Sequence, residues 1–244
     1  MTDKPTFLSL FSGIGGLDLG LERAGWRCIG QSEIHPYASR VLAKHWPHVP
    51  NHGDVTTIDW TTIEQPDLIC GGYPCQPFSY AGNRNGTGDP RHLWPHFANA
   101  IRVLQPRYAL LENVPGHLSL GLDAVLADLA AIGFDAEWST VSACSVGAPH
   151  LRRRVFVLAH TNGAGWGGIT VPDSRPHQTL TQGQHRYNPD GQGLARERTW
   201  NQGRPGSLGM AHGLPGWVDR RRACGNAVVP QVAETIGRMI LAAA

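Results

Sequence analysis

The sequence predicts an α/β fold built on a mostly parallel sheet, and three observations support this expectation. Short apolar runs alternate with segments that have the apolar spacing of amphipathic helices, which is typical of strand–helix–strand crossovers. A glycine-rich turn joins the first strand to the first helix. Further along the chain, two strands follow each other without a helix between them, which predicts an antiparallel hairpin at the edge of the sheet.

Length and composition limit the protein class. The 244 residues suffice for one large domain, or one domain with a small appendage. A hydrophobic content of 41% with 16% charged residues is typical of a soluble protein, and neither a membrane span nor a signal peptide is recognisable. Five scattered cysteines without a C-x-x-C pair favour reduced thiols over disulfides or zinc. We therefore expect a cytoplasmic protein that binds no metal.

The charges are distributed unevenly along the chain. Residues 1–149 contain 9 Lys and Arg against 14 Asp and Glu, whereas residues 150–222 contain 11 Arg, no Lys and 4 acids. Arginine binds phosphates in a bidentate manner and recognises guanine edges, so this segment favours a polyanionic partner. The alternative is a solvated loop that its charge keeps soluble.

The first predicted strand, Thr6–Leu10, leads directly into the glycine-rich turn. Helical spacing then extends from Leu17 to Ala24 and ends at Gly25. Such a turn lets a ligand approach the backbone N–H groups at a helix N-terminus. Asp18 occupies the position of a third glycine, which argues against a nicotinamide dinucleotide.

A second strand, Trp26–Ser32, ends at Glu33, 20 residues after Gly13. A carboxylate in this position can accept hydrogen bonds from both ribose hydroxyls of an adenosine cofactor. After a predicted helix at Pro36–His45, Asp54 forms another acidic strand end. We interpret Asp54 as a second cofactor contact, with a surface charge as the alternative.

The strand Asp67–Cys70 leads into a loop that places Cys75 between two prolines. Because Gly71 and Gly72 allow a sharp turn and the prolines oppose regular pairing, this thiol is expected at a strand end. On local sequence alone, a nucleophile and a buried structural cysteine are about equally supported. Residues 80–91 contain three Gly, two Asn and a Pro, and predict a mobile lid.

The predicted strand Tyr108–Leu111 follows a helix over Leu93–Val103 and ends in an acid and an amide, Glu112 and Asn113. These polar side chains fall at the edge of a parallel sheet where ligands bind. A helix beginning at Leu122 ends at Gly133.

The edge hairpin consists of Ala136–Ser142 and Val155–Ala159. Just before its second strand, alternation places Arg152 and Arg154 on one face, where they form a functional arginine pair or a solvent-facing rim. Residues 160–213 lack hydrophobic periodicity. Order is predicted again from Ala223, with a final helix over Gln231–Leu241.

Taken together, these motifs resemble those of the DNA (cytosine-5)-methyltransferase family. They occur in the family's order, and they are the cofactor loop Phe11-Ser12-Gly13-Ile14-Gly15-Gly16, the nucleophile loop Pro74-Cys75-Gln76-Pro77-Phe78-Ser79, Glu112-Asn113-Val114, His150-x-Arg152-x-Arg154 and Gly225-Asn226-Ala227-Val228. Several short motifs in the right order are more specific than any one of them.

The resemblance implies a Rossmann-like S-adenosylmethionine-dependent methyltransferase fold with a small irregular target-recognition region. The implied domains are a catalytic and cofactor-binding domain at 1–159, a target-recognition region at 160–215 and a C-terminal segment at 216–244 that returns to the catalytic domain. The implied partner is double-stranded DNA, bound by a monomer. The resemblance is also compatible with a cognate restriction endonuclease that acts separately.

The resemblance also implies site residues. The catalytic set is Cys75, Glu112, Arg152 and Arg154. The cofactor set, for S-adenosylmethionine, is Phe11, Gly13, Ile14, Gly15, Gly16, Leu17, Glu33, Ile34, Asp54, Val55, Pro74, Leu93, Asn226 and Val228. The DNA-binding set is Ser79, Arg84, Arg175, Arg186, Arg196, Arg198 and Arg204.

Three features depart from the family pattern. His150 replaces a glutamine, Tyr73 stands where proline or phenylalanine is common, and an R-x-L-T-x-x-E segment is not recognisable before the last motif. The region between Ala159 and Gly213 is also short for target recognition. Two alternatives therefore stay open: a nucleic-acid-binding remnant with little turnover, and an RNA cytosine-5 methyltransferase.

Overall fold

A computed structural model of the chain describes residues 4–74, 93–119, 121–161 and 217–243. The loop that contains Cys75, the predicted lid and the predicted target-recognition region lie outside the described residues. The strands are β1 Thr6–Leu10, β2 Arg27–Ser32, β3 Leu68–Gly71, β4 Tyr108–Asn113, β5 Phe134–Ser142 and β6 Arg153–Thr161. The α-helices are α1 Gly16–Ala24, α2 Pro36–His45, α3 Trp94–Leu104, α4 Leu122–Ile132, α5 Trp217–Asn226 and α6 Pro230–Ala243.

The six strands form one sheet in the order β2-β1-β3-β4-β6-β5. The first four are parallel, whereas β6 pairs antiparallel with both β4 and β5. The predicted mostly parallel sheet with an antiparallel edge hairpin is therefore confirmed. Strand β1 has β2 on one side and β3 on the other, so the strand order along the chain reverses beside β1. Open α/β sheets form ligand crevices at this kind of position.

Three strands are longer than the sequence suggested, and one of them, β6, spans Arg153–Thr161 rather than Val155–Ala159. β4 continues through Glu112 and Asn113, because these residues pair with Phe156 and Val155 of β6. β5 begins at Phe134, directly after the end of α4. The longer β4 fixes the backbone of Glu112 within the sheet rather than in a loop.

Local sequence explains the helix bounds. Pro36 is the first residue of α2, and the His35 ring accepts a hydrogen bond from the Tyr37 N–H. Helix α1 ends at Gly25, whose φ of 113° is accessible to glycine and whose N–H reaches the carbonyls of Leu21 and Glu22. Within the described ranges, no helix is both long and apolar enough to cross a bilayer.

Buried side chains cover both faces of the sheet. One cluster joins β1, β3 and β4 to α3 and α4, and the other packs α1 and α6 against the opposite face. Helices α1 and α6 approach closely at Gly20, where a Cβ atom would collide with the carbonyl oxygen of Pro230 and the Cβ of Ala233. The Trp26 indole Nε1 donates a 3.1 Å hydrogen bond to the Gly237 carbonyl, which joins the segment after α1 to α6.

Helix α5 extends further than the sequence suggested. Order was expected only from Ala223, but the helix begins at Trp217. Its polar sequence, Asp219 followed by three arginines, has no apolar face that periodicity could reveal. The C-terminal end of α5 lies near the carboxyl ends of the parallel strands, where the candidate site residues lie.

Candidate active site

A cavity of about 380 Å³ opens at the carboxyl ends of the parallel strands. Twelve predicted cofactor residues line it: Phe11, Gly13, Gly16, Leu17, Glu33, Ile34, Asp54, Val55, Pro74, Leu93, Asn226 and Val228. Two others, Ile14 and Gly15, are not part of the lining. Gly15 faces the Trp46 ring instead, where an added Cβ would lie 2.5 Å from two ring carbons.

Glu33 ties the turn after β1 to the end of β2. Its Oε2 accepts a 2.8 Å hydrogen bond from the Gly13 N–H, and its Oε1 accepts a 2.7 Å bond from the His35 N–H. The Glu33 N–H donates in turn to Asn51 Oδ1 at 3.0 Å. Because a carboxylate has about four acceptor positions, Glu33 can still receive donors from the cavity.

Apolar and acidic groups surround Glu33. Phe11 has a φ of 53°, a strained conformation for a non-glycine residue, and its ring stacks on Phe97 with centroids 6.2 Å apart. Ile34 keeps 67% of its surface exposed, which is high for an isoleucine that lines a cavity. Asp54 Oδ1 accepts hydrogen bonds from Thr56 N–H and Oγ1, at 2.9 and 2.8 Å, and these bonds lower the pKa of Asp54.

Asp18 anchors the N-terminal end of α1 from below the cavity. The side chain is fully buried; Oδ2 accepts from Ser9 Oγ at 3.0 Å and Oδ1 accepts from Gln31 Nε2 at 2.7 Å. Burial raises its pKa to about 6, although these hydrogen bonds act in the opposite direction. The sequence marked Asp18 only as a missing glycine, and nothing in its spacing indicated that it joins α1 to β1 and β2.

Glu112 lies on the opposite wall of the same cavity. Arg154 Nε is 3.0 Å from Glu112 Oε1, and both side chains are mostly buried. Burial raises the pKa of Glu112, while the charges of Arg154 and Arg152 oppose this rise. Gly72 leaves room for the carboxyl group, since a Cβ there would lie 2.9 Å from Glu112 Oε2.

Arg152 has different partners from Arg154, although sequence alternation placed the two on one face. Its Nη1 and Nη2 donate to the carbonyl oxygens of Gly225 and Asn226, at 2.5 and 2.9 Å. Burial lowers the pKa of Arg152. Arg152, directly before β6, and Arg154, within β6, therefore have different hydrogen-bond and ion-pair partners.

Tyr73 and His117 form a buried polar pair next to Pro74, which the sequence did not reveal. Tyr73 Oη lies 2.6 Å from His117 Nε2, and Asn113 Nδ2 donates a 3.2 Å hydrogen bond to the Tyr73 carbonyl. The Tyr73 ring also packs against Trp94 at a centroid distance of 5.2 Å. These contacts fix the backbone two residues before Cys75.

The predicted nucleophile Cys75 lies outside the described residues, as do all seven predicted DNA-binding residues: Ser79, Arg84, Arg175, Arg186, Arg196, Arg198 and Arg204. Cys28 and Cys70 are buried, and burial raises the pKa of both thiols. Such thiols are poor nucleophiles.

Asp219 and Arg222 of α5 also line the cavity, and the sequence did not indicate them because α5 itself was not anticipated.

The chain matches a known protein family over most of its length. Residues 5–190 match the family of C-5 cytosine-specific DNA methylases. The chain belongs to that family. The resemblance stated from the motifs is thus confirmed, and the predicted Rossmann-like methyltransferase fold is the fold of this chain.

Two curated relatives and one solved structure show the extent of the similarity. The chain is 34% identical to the type II methyltransferase M.HgiCII of Herpetosiphon aurantiacus, over 68% of its own length and 40% of that protein. It is 34% identical to the type II methyltransferase M.MspI of a Moraxella species, over 64% of this chain and 38% of that protein. The Dnmt2 methyltransferase of S. pombe superposes with a TM-score of 0.59 at 25% identity, over 67% of this chain and 53% of that one. The chain thus spans about half or less of these relatives' length.

Proposed function

We propose that this methylase transfers a methyl group from S-adenosylmethionine to C5 of cytosine in DNA, through a covalent bond between Cys75 and a flipped-out base. One observation carries the proposal. A single cavity joins the acidic residues suited to an adenosine, Glu33 and Asp54, to the buried Glu112–Arg154 pair and to Pro74, the residue before Cys75.

The residues on the cofactor side fit this group. A volume of about 380 Å³ is in the range of small-molecule sites. Glu33 is oriented by two backbone N–H groups and retains acceptor positions for ribose hydroxyls. Asp54 would accept from the adenine amino group, and the apolar surfaces of Phe11 and Ile34 would contact the adenine ring. When bound, the cofactor supplies an electrophilic methyl group.

The base side supplies the activation that cytosine C5 needs, because this carbon is a poor nucleophile. The Cys75 thiolate adds to C6, and Glu112 gives a proton to N3, so that electron density reaches C5. A carboxyl group whose pKa is raised by burial is suited to this proton transfer. Arg154 stabilises charge at O2 of the base. After the methyl group is transferred to C5, the C5 proton leaves to solvent, the S–C6 bond breaks to release the Cys75 thiolate, and N3 returns its proton to Glu112, which restores the aromatic ring.

The substrate must enter as an extruded nucleotide. A base stacked within a duplex cannot reach a cavity at the edge of a sheet, so the target cytosine must be flipped out. We further propose that residues 160–215 contact the DNA, since the basic charge of the chain lies in residues 150–222. Site preference requires that some of these arginines reach base edges, because phosphate contacts carry no sequence information.

The experiment compares Cys75→Ala with Cys144→Ala, whose exposed thiol lies outside the cavity lining. We expect the first variant to lose transfer of a labelled methyl group to duplex DNA while its cofactor affinity is retained, and the second to stay active. The parent chain should also form a stable adduct with DNA containing 5-fluorocytosine, because fluorine blocks the final elimination. Full transfer by Cys75→Ala would refute the mechanism.

The same assay decides between the remaining alternatives. Duplex DNA, single-stranded DNA and transfer RNA are offered in parallel at equal nucleotide concentration. Transfer to RNA but not to DNA would identify an RNA methyltransferase. Binding of DNA and cofactor without transfer to any substrate would identify a remnant that has lost turnover.

A further inference from the structure

Arg152 caps the C-terminal end of α5. Gly225 and Asn226 are the last two residues of that helix, and their carbonyls belong to the group that lacks intrahelical partners. The Arg152 guanidinium donates to both, at 2.5 and 2.9 Å. A planar cation with two parallel donors suits this position, since the partial negative charge of a helix accumulates at its C-terminus.

The capped helix end leads directly into the wall of the cofactor cavity. Asn226, Ala227 and Val228 line that cavity in sequence. Val228 also lies against the turn after β1, because a Cβ at Gly16 would collide with the Val228 carbonyl oxygen. This stretch of backbone is therefore held by α1 on one side and by Arg152 on the other.

Arg154 has a different set of contacts two residues later. Its Nε lies 3.0 Å from Glu112 Oε1, and its Nη1 donates to the Arg153 carbonyl at 2.8 Å. Both terminal nitrogens of Arg152 donate to α5, whereas Arg154 contacts Glu112 through Nε and the Arg153 carbonyl through Nη1. The geometry thus separates a cofactor-side arginine from a base-side arginine.

We propose that Arg152 is a positioning residue for the cofactor wall formed by Asn226–Val228, and that it does not contact the target base. The inference rests on the proposed function, because it presumes that the cavity binds the cofactor. It assigns the predicted contact with O2 of cytosine to Arg154. The two arginines of the motif then affect different measurable steps.

The test uses full-length Arg152→Met and Arg154→Met and two readouts that do not require turnover. The first is the dissociation constant of S-adenosylmethionine, measured by calorimetry. The second is cofactor-free loss of tritium from C5 of cytosine in DNA. In that exchange Cys75 forms the S–C6 bond and C5 takes a proton from water; tritium then leaves C5 for water as the S–C6 bond breaks.

We expect Arg152→Met to bind the cofactor about tenfold more weakly and to exchange tritium within about twofold of the parent. Arg154→Met should show the opposite pattern, with unchanged cofactor affinity and strongly reduced exchange. Arg152→Lys should recover only part of the cofactor affinity, because an ammonium group cannot engage both carbonyls as a planar guanidinium does.

Two outcomes would overturn the inference. Unchanged cofactor affinity in Arg152→Met would show that the cap does not position the cofactor wall. Loss of tritium exchange in Arg152→Met would show that Arg152 serves the base or the general fold, whatever happens to affinity. A parent chain that neither binds S-adenosylmethionine nor exchanges tritium would instead refute the proposed function itself.

Discussion

Two glutamates at the carboxyl ends of parallel strands face the same cavity in different environments. Glu33, after β2, receives backbone N–H groups from Gly13 and His35 on its two oxygens. Glu112, at the end of β4, is buried beside Arg154, and burial raises its pKa. The first is fixed as a hydrogen-bond acceptor, while the second can hold and release a proton. The surroundings of each side chain, rather than its type or strand position, determine the role.

The largest effect is expected from Glu112→Gln, which keeps the size of the side chain but cannot transfer a proton. Methyl transfer should fall by about 10²- to 10⁴-fold in kcat, as for the loss of a general acid. Cofactor affinity, measured by calorimetry, should stay within about twofold because the Glu33 contacts are untouched. A kcat within tenfold of the parent would contradict the proton-donor role.

Replacing Glu33 should produce the complementary result. We expect Glu33→Ala to weaken cofactor binding by about 1.5–3 kcal/mol, since hydrogen bonds to a charged group are lost. At saturating cofactor, kcat should remain near that of the parent. Glu64→Ala is the matched control, because Glu64 is an exposed acid outside the cavity lining. Equal cofactor affinities for Glu33→Ala and Glu64→Ala would refute the assignment.

Asp18 extends the comparison to a third acid, which is buried and whose hydrogen-bond donors Ser9 and Gln31 are neutral. Its pKa of about 6 exceeds its ordinary value of 3.8, so the unfolded chain ionises at lower pH than the native one. The native state therefore loses stability as pH rises between these two values, and the loss persists at higher pH.

In Asp18→Asn this contribution is absent. From pH 4 to pH 7, the free energy of unfolding of the parent should fall by about 2 kcal/mol relative to the variant, as measured by urea unfolding. Comparing the two chains at each pH removes the titration of other groups. A constant difference between the two chains across this range would show that Asp18 ionises alike in both states.

The sequence predicted the sheet and much of the cavity because both depend on local signals. Apolar runs located β1 to β4, and the spacing from Gly13 to Glu33 placed a carboxylate beside the first turn. The roles of Asp18 and His117 could not be predicted, because each depends on partners that only the folded chain brings near. Asp18 of α1 meets Gln31 of β2, 13 positions further along the chain, and His117 meets Tyr73 across 44 positions.

Arg152 shows a second limit of prediction from sequence. Alternation along a strand indicates the face on which a side chain leaves the backbone, but a long side chain can reach a partner that the pattern does not contain. Alternation assigns Arg152 and Arg154 to one face, yet Arg152 precedes β6 and reaches α5, while Arg154 reaches Glu112. Helix α5 lacked an apolar stripe, so its approach to Arg152 left no trace in hydrophobic periodicity.

The packing of α6 on α1 determines when, during synthesis on the ribosome, the fold can be completed. Trp26 and Gly237, which share a hydrogen bond, are 211 positions apart, and Val228 completes the cavity beside Gly16. All six strands are therefore synthesised before the cavity beside Gly16 can be completed. Any change in the length of residues 162–216 alters the delay before closure, while the residues that close the cavity stay the same.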